Sequence, residues 1–149
     1  MDLKPIGTVK SAVSEPVDEN WGKVVSEIHL DPALAAGLRG LDQFSHILVL
    51  FFMHRSTFEP SRDLIRRPKG RADMPELGIF AQRAKHRPNP IGITAVELLA
   101  VDGSVLKVRG LDAIDGTPVL DIKPYLPAFD RVDQPSVPEW VAKVMEGYF

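Results

Sequence analysis

Apolar and polar residues alternate with a period of two in several short stretches of the chain, a pattern typical of half-buried β-strands. In residues 23–30 this period places four residues on one face: Val24, Ser26, Ile28 and Leu30. Residues 44–54 contain a run of seven apolar residues flanked by His46 and His54, which predicts a buried core strand. The hydrophobic pattern therefore predicts a mainly β fold.

Further short strands are predicted along the rest of the chain, at residues 5–9, 77–82, 91–101, 105–109 and 118–123. Asp102-Gly103 between two of them is a hairpin signal. Thirteen Pro and eleven Gly divide the chain into short segments, which favours strands and turns over long helices. Many short strands are typical of a small barrel or a sandwich.

Helical structure is predicted in two places. Residues 32–38 follow an aspartate and carry a proline at their start, so we expect one or two helical turns there. Near the end, Ser136 and Glu139 fit a capping box with Pro138 at a first helical position. The helix that follows would have one apolar face, which we expect to dock on the barrel or on a second subunit: Trp140, Val141, Val144, Met145 and Tyr148.

Residues 58–74 are polar and basic, contain two prolines and a glycine, and show no clear period. We interpret them as a mobile loop without regular structure.

Composition narrows the class of protein. The chain has 149 residues, of which 44% are hydrophobic and 26% charged, as expected for one globular domain over residues 1–149. No apolar run approaches the roughly 20 residues needed to span a bilayer, and no signal-peptide segment is recognisable at the start. The chain contains no Cys, which excludes disulfides and thiolate metal sites. We expect a cytoplasmic protein that does not bind membranes.

The net charge of −2 hides an asymmetry. Residues 55–90 contain nine Lys or Arg and four acids, so this block carries +5 and the remainder of the chain −7. A local positive field attracts anionic partners such as RNA or a phosphorylated ligand. A solvated surface loop would carry the same charges, and charge alone does not separate the two readings.

The densest group of polar side chains lies in residues 80–92, and we call its central part, residues 83–89, the elbow. Pro88 and Pro90 restrict the backbone at Arg87 and Asn89, so these side chains have little conformational entropy left to lose on binding. A stiff turn with incidental charges is the alternative. The number of polar side chains favours a preorganised binding edge.

A second group begins at residues 115–118, which we call the acidic turn. Asp115-Gly116 supplies a left-handed turn position, and the period of two after it places Asp121 and Lys123 on the same strand face. Such a pair is either a solvated ion pair or a catalytic pair, and the sequence leaves both open.

The histidines and glycines exclude several familiar sites. His46 and His54 are eight residues apart in one strand, hence roughly 26 Å, and cannot share a metal ion. His54, at the strand end, is placed to line a ligand cleft. No Gly-rich nucleotide loop and no Gly-x-Ser-x-Gly motif occur. We predict no metal site and no Rossmann-type nucleotide site.

Four stretches, taken together, resemble the TsaA-like (YaeB/TrmO-type) family. They are Ile6-Gly7; Gly37-Leu38-Arg39-Gly40-Leu41 with Phe44-Ser45-His46; Gly78-Ile79-Phe80-Ala81 with Arg87-Pro88-Asn89-Pro90-Ile91-Gly92; and Asp115-Gly116-Thr117-Pro118 with Asp121-Ile122-Lys123-Pro124-Tyr125. They cover nearly the whole chain, and the Arg-Pro-Asn-Pro-Ile-Gly and Asp-Gly-Thr-Pro blocks in that order are highly specific.

The resemblance implies a small, closed or nearly closed β-barrel with short helices and a C-terminal helix, which forms a homodimer and binds S-adenosylmethionine. It also implies methyl transfer to the exocyclic nitrogen of threonylcarbamoyladenosine, so that the partner is the tRNA anticodon stem-loop. Longer bacterial members carry an additional C-terminal domain. By motif, the expected donor-binding residues are Trp21, Gly22, Lys23, His54, Arg55, Ser56, Lys85, Ala95, Asp115, Gly116, Thr117 and Pro118.

For the reaction itself, we expect alignment of donor and acceptor to dominate, with Asp121 or His86 assisting proton loss. Arg87 suits a carboxylate because its planar fork binds such groups bidentately. The expected acceptor-binding residues, which would hold a phosphate or the threonyl carboxylate, are Arg83, Arg87, Asn89, Lys123 and Tyr125.

Two other functions remain open from the sequence. One is a non-enzymatic barrel that binds RNA or a nucleotide through the same basic edge. The other is a methyltransferase of the same fold that acts on a small molecule.

Overall fold

The centre of the computed structural model, which describes residues 1–149, is a closed six-stranded barrel in the order β1-β2-β7-β6-β3-β8. All strand pairs in it are antiparallel. The eight strands are β1 (Gly7–Lys10), β2 (Val25–Leu30), β3 (His46–Phe52), β4 (Ile65–Arg66), β5 (Leu77–Gly78), β6 (Ile91–Asp102), β7 (Val105–Arg109) and β8 (Pro118–Pro124). The mainly β fold with a barrel at its centre is confirmed.

Helices are short and lie between or after the strands. The three α-helices are α1 (Pro60–Asp63), α2 (Pro127–Asp130) and α3 (Trp140–Met145). Five 3-10 turns occur at Trp21–Lys23, Pro32–Leu38, Leu41–Gln43, Pro68–Gly70 and Ile79–Ala81. No helix has the length and apolar character needed to cross a membrane.

The barrel interior holds the core, because the period-two pattern sends alternate side chains inward. In β2, Ser26, Ile28 and Leu30 are buried while the residues between them are exposed, as predicted. The fully buried side chains from the other strands include Val9, Ile47, Val49, Leu106, Val108 and Val119.

Strand β3 lies between β6 and β8, and this register positions the functional site. Leu48 pairs with Ala95 and Phe51 with Gly92 across the β3–β6 ladder. The β3–β8 ladder shifts register between Leu50 and Phe51. A bulge of this kind bends a strand and increases its local twist, and it lies close to the end of β3, where the polar chain after this strand begins.

The hairpin predicted at Asp102-Gly103 is present. Strand β6 ends at Asp102 and β7 begins at Val105, with Gly103 at a φ of 59°. Glycine adopts this left-handed conformation without steric cost. The turn over Pro32–Leu38 is also confirmed, and the Asp31 side chain accepts a hydrogen bond from the Ala33 N–H at its start.

The chain from residue 58 to 82 differs from the expectation. It contains α1, β4 and a 3-10 turn, with Asp63 and Met74 buried, so the prediction of no regular structure is wrong. Only the first two residues of the predicted strand at 77–82 are extended, and they pair with β4. Two-residue strands carry no period, which is why the pattern misses them.

A C-terminal helix is present, but its predicted cap is wrong. The helix begins at Trp140, and Glu139 before it makes no side-chain capping hydrogen bond. Ser136 lies too far upstream to reach the N–H groups of the first turn. Val144 is buried, so packing of this side chain fixes the helix in place of a cap.

Candidate functional site

A cavity of about 1260 Å³ is lined by residues from the barrel and from the segments around it. Strands β3 and β6 contribute Leu48 and Ala95, and the chain after β3 contributes Arg55 and Ser56. All of the elbow except Pro88 lines the same cavity. From the acidic turn, Thr117 reaches it. The two distant segments singled out in the sequence therefore meet at one cavity.

Two arginines shape the elbow by donating to backbone carbonyls. Arg87 Nη1 donates to the carbonyl oxygens of Gln82 and Ala84, over 2.9 and 3.3 Å. Arg83 Nη2 donates to the Ile93 carbonyl oxygen over 2.6 Å, which ties the elbow to β6. Each guanidinium has further N–H donors, because arginine carries five in all. These side chains are therefore fixed in position while part of each fork remains free for a ligand.

The elbow is joined to the end of β3 by a small polar cluster. Ser56 Oγ donates to the Lys85 carbonyl oxygen over 2.5 Å. The Thr57 backbone N–H donates to His86 Nδ1 over 3.1 Å. Both bonds connect residues about 29 positions apart in the chain. They hold the two edges of the cavity at a fixed separation.

The hydrogen bond from Thr57 also fixes the state of the His86 ring. Because Nδ1 accepts it, the proton of the neutral imidazole is assigned to Nε2. Burial lowers the pKa of His86, and the nearby charge of Lys85 lowers it further. The fold therefore favours a neutral histidine with its donor nitrogen free.

Asp112 organises a second cluster in the cavity wall. Thr94 Oγ1 donates to Asp112 Oδ1, and Tyr148 Oη donates to Asp112 Oδ2 over 2.6 Å. Burial raises the pKa of Tyr148 well above its usual range, and the charge of Asp112 raises it further, so the phenol remains a donor. Sequence reasoning missed Asp112 and Thr94. The signal available was a single acid between Leu111 and Ala113, both of which are buried.

Several cations of the basic block, residues 55–90, already form ion pairs within the fold, so fewer are available to a ligand than their number indicates. Arg62 and Arg66 both pair with the buried carboxylate of Asp63, and Arg71 pairs with Asp73. Arg55 pairs with Glu15 and donates to the Ser14 carbonyl oxygen. Four cations of this block line the cavity without forming an ion pair, so no carboxylate matches their charge at the site: Lys69, Arg83, Lys85 and Arg87.

Most of the residues selected from the sequence line the cavity. They are Trp21, His54, Arg55, Ser56, Arg83, Lys85, His86, Arg87, Asn89, Ala95, Thr117 and Tyr125.

The others lie outside it. Gly22 packs against Phe149, and Lys23 ends the same 3-10 turn with an exposed side chain. Asp115 accepts from the Ser11 N–H, and the Gly116 N–H donates to the Val9 carbonyl oxygen, so both fasten the acidic turn to the region of β1.

The remaining three selected residues belong to β8. Pro118 lines a separate apolar groove. Asp121 and Lys123 form an exposed ion pair at 2.8 Å, and the hydrogen bond that Lys123 donates to Asp121 raises the pKa of Lys123. In this chain the pair has the geometry of a surface ion pair.

Comparison with known proteins was made on the whole chain. Residues 9–131 match the family model of the tRNA-methyltransferase O N-terminal domain. The chain is 44% identical over 139 residues to the S-adenosyl-L-methionine-binding protein of Archaeoglobus fulgidus, covering 90% of this chain and 96% of that one. It is 43% identical over 138 residues to the tRNA (adenine(37)-N6)-methyltransferase of Escherichia coli, covering 84% of this chain.

Among solved structures, TrmO from Pseudomonas aeruginosa superposes with a TM-score of 0.76 and 33% sequence identity over 93% of this chain. The chain spans 57% of the Escherichia coli enzyme and 61% of that crystallised chain, and only 36% of a second, longer Archaeoglobus fulgidus relative. The resemblance found in the four sequence motifs is confirmed. The chain belongs to the tRNA-methyltransferase O N-terminal domain family.

Proposed function

We propose that this protein is an S-adenosylmethionine-dependent methyltransferase that modifies the exocyclic nitrogen of threonylcarbamoyladenosine next to the tRNA anticodon. The observation that carries the proposal is that the elbow, the chain after β3 and Thr117 of the acidic turn line one cavity. Relatives named as S-adenosyl-L-methionine-binding proteins and as tRNA (adenine(37)-N6)-methyltransferases support it. The anticodon stem-loop is the macromolecular partner in this proposal.

The cavity fits S-adenosylmethionine in size and in the chemistry of its walls. Its volume of about 1260 Å³ exceeds the roughly 300–1,000 Å³ of pockets that hold one small ligand, so a donor and an acceptor group fit together. Lys85 suits the carboxylate of the donor, and Asp18 offers negative charge for its cationic groups. When bound, S-adenosylmethionine supplies a methyl group on cationic sulfur: a C–N bond forms, the C–S bond breaks with its electron pair left on sulfur, and the nitrogen loses a proton.

The protein's contribution is then mainly alignment and water exclusion. Ser56 and Lys85 hold the donor edge of the cavity together through their hydrogen bond. Of the two proposed proton acceptors, His86 lies in the cavity, whereas Asp121 lies outside it and pairs with Lys123. Because Nδ1 of His86 already accepts from Thr57, His86 acts as a base only when that bond opens.

The acceptor is held by the free donors of the elbow. Arg87 uses only Nη1 within the fold, so Nη2 and Nε are available to a phosphate or to the threonyl carboxylate. Asn89 and Tyr125 line the same cavity and add amide and phenol groups. Lys123 contributes to this set only if RNA extends over β8.

Methyl transfer from tritiated S-adenosylmethionine tests the proposal. The acceptors are tRNA with the threonylcarbamoyl group, tRNA without it, and a panel of small molecules. Incorporation confined to the modified tRNA supports the proposal. Donor binding without incorporation into any RNA identifies a binding protein, and incorporation into a small molecule identifies a different methyltransferase; either result overturns it.

We also infer that two copies associate in solution and that the enzyme works in the cytoplasm, where tRNA is modified. An apolar groove of about 320 Å³ on the barrel surface includes Phe52, Ile91 and Leu120, and exposed apolar patches of this kind often mark interfaces. Phe52→Glu should yield a monomer in sedimentation velocity. Val25 lies on β2 and is as exposed as Phe52, so Val25→Glu is the matched control and should leave the dimer intact. A monomeric wild-type protein would contradict the inference.

A further inference from the structure

One wall of the cavity comes from outside the matched family domain. The domain match covers residues 9–131, but the cavity is also lined by five residues beyond it: Trp140, Val144, Met145, Tyr148 and Phe149. We call residues 140–149 the C-terminal wall. Three of its five lining residues are aromatic, and the other walls combine polar groups of the elbow and of the chain after β3 with apolar side chains of the barrel.

The C-terminal wall is fastened at its end by three hydrogen bonds. The Asn20 N–H donates to the Gly147 carbonyl oxygen and the Trp21 N–H to the Tyr148 carbonyl oxygen, each over 2.8 Å. Tyr148 Oη donates to Asp112 Oδ2 over 2.6 Å. These bonds leave the Tyr148 ring little freedom, so it presents a fixed surface to the cavity.

The chemistry of this surface suits an aromatic base. The rings of Tyr148 and Phe149 meet edge to face with centroids 4.9 Å apart, and Phe149 is 62% exposed. Lys69 Nζ lies 5.7 Å from the centroid of the Tyr148 ring. Arg83 is close enough for its charge to lower the pKa of the Tyr148 phenol against the larger effect of burial. Aromatic faces flanked by cations are a common way to hold an unstacked nucleotide.

The position of the wall separates it from the proposed donor edge. Ser56 and Lys85 join the chain after β3 to the elbow, whereas Tyr148 is joined to Asp112 and to the chain at residues 20–21. The cavity volume leaves room for a second group beside the donor. The C-terminal wall therefore suits the acceptor.

We propose that the C-terminal wall is the acceptor-base subsite of this methyltransferase: the purine that receives the methyl group stacks on the ring of Tyr148 and meets that of Phe149 edge to face, and Asp112 positions the Tyr148 ring. This inference rests on the proposed function and names the part of the protein that recognises its RNA substrate. Tyr148 and Phe149 touch the base in this arrangement, and Asp112 acts through Tyr148.

The test measures RNA stacking and donor binding separately. The probe is an anticodon stem-loop RNA with 2-aminopurine at the acceptor position, whose fluorescence falls when the base stacks on an aromatic ring. The variants are Tyr148→Ala, Phe149→Ala and Tyr148→Phe, with Phe129→Ala as a control because Phe129 is 83% exposed and lies outside the cavity. Thermal melts identify any variant that does not fold, and Tyr148→Phe keeps the ring as a conservative probe.

The wild-type protein and Phe129→Ala should quench the probe equally. Tyr148→Ala should lose the quenching and raise the KM for the RNA about tenfold or more, and Phe149→Ala should weaken both to a smaller extent; the affinity for S-adenosylmethionine alone should change less than twofold in either variant. Tyr148→Phe should quench but show an intermediate KM, because only the bond to Asp112 is lost.

If folded Tyr148→Ala lost affinity for S-adenosylmethionine as well as for the RNA, the wall would belong to the donor site. If it quenched the probe as strongly as the wild-type protein, no base would stack on the wall. Either result overturns this inference. If the probe stacks but no RNA is methylated, the proposed methyltransferase function is wrong while the stacking of a base on the C-terminal wall is confirmed. The two failures are therefore distinguishable.

Discussion

The Thr57 backbone N–H donates to His86 Nδ1 over 3.1 Å, and this bond joins the chain after β3 to the elbow. Ser56 adds a second bond to the same elbow through the Lys85 carbonyl oxygen. A neutral His86 can accept from Thr57, but a protonated His86 cannot, because both ring nitrogens then carry a proton. The shape of the cavity edge is thereby linked to the protonation of one side chain.

The stability of the protein should therefore fall in mild acid. The folded pKa of His86 lies below 6.5, mainly because of burial and secondarily because of Lys85; Arg66 also lowers it, while Asp63 acts in the opposite sense. The neutral form stabilises the fold above about pH 6.5, and this stabilisation is lost as the pH falls through the folded pKa. The measurement is the free energy of unfolding in urea between pH 7.5 and 5.

The control for this prediction separates His86 from the other titrating groups. His86→Asn keeps an oxygen acceptor for the Thr57 N–H and does not titrate, so part of the acid dependence should disappear. His29→Gln changes an exposed histidine that contacts Glu27 outside the cavity, and it should keep the wild-type profile. Equal acid dependence in wild type and His86→Asn would contradict the assignment.

The barrel could be predicted from the sequence because the period-two pattern of its strands and its turn residues are local features of the chain. The alternation of Ser26, Ile28 and Leu30 and the hairpin glycine at 103 each reflect a local rule that the barrel obeys. The structure of residues 58–82 could not be predicted, because the burial of Asp63 and Met74 does not follow from any periodic pattern of apolar residues. There, tertiary packing decides the structure.

The candidate site likewise contains residues that could be predicted from the sequence and residues that could not. Motif residues of the elbow reach the cavity because prolines and backbone hydrogen bonds hold them in place. Asp112 and the C-terminal wall could not be assigned to it from the sequence, since the bond from Tyr148 to Asp112 spans 36 positions. For Asp121 the prediction that its side chain lies on the same strand face as Lys123 is confirmed. The period of two does not show, however, whether that face of the barrel lines the ligand cavity.

Removing the Ser56 hydroxyl should weaken donor binding. Ser56→Ala loses the hydrogen bond to the Lys85 carbonyl oxygen, which holds the cation of Lys85 at the cavity edge. A single hydrogen bond of this kind contributes about 0.5–1.5 kcal/mol, so the Kd for S-adenosylmethionine should rise roughly twofold to tenfold in calorimetric titration. Ser61→Ala, which loses only an exposed bond to Glu59, should bind like wild type. Equal Kd values for both variants would contradict the role given to Ser56.

A methyl group at position 92 should destabilise the barrel. A Cβ built on Gly92 would lie 2.3 Å from the nearest atom of the Phe51 ring, and Phe51 is a buried core residue. Gly92→Ala forces that ring to move, which should cost about 1–3 kcal/mol in the free energy of unfolding. Gly37→Ala has no atom within 4 Å of its new Cβ and should unfold like wild type. A normal free energy of unfolding for Gly92→Ala would mean that the Phe51 ring moves without cost.

Neutralising Asp63 should destabilise the segment that supports the elbow. Its carboxylate is fully buried and accepts hydrogen bonds from Arg62, Arg66 and the Glu59 N–H. The Arg62 hydrogen bond holds the pKa of Asp63 well below its usual range, so its charge stabilises the fold above about pH 3.8 and the contribution is lost as the pH falls further.

Asp63→Asn leaves two guanidinium groups without their carboxylate, so the Tm at pH 7 should fall by roughly 5–10 °C. Asp73→Asn provides the matched control, because the Asp73 pair with Arg71 is 2.6 Å long but its side chains are about half exposed. Solvent screens such a pair, and the control should lower the Tm by less than about 2 °C. The Tm difference between the variants should narrow as the pH falls below 3.8, since the unfolded chain then takes up a proton at Asp63 that the folded protein does not. Equal Tm losses in the two variants at pH 7 would show that burial of Asp63 adds nothing to its ion pairs.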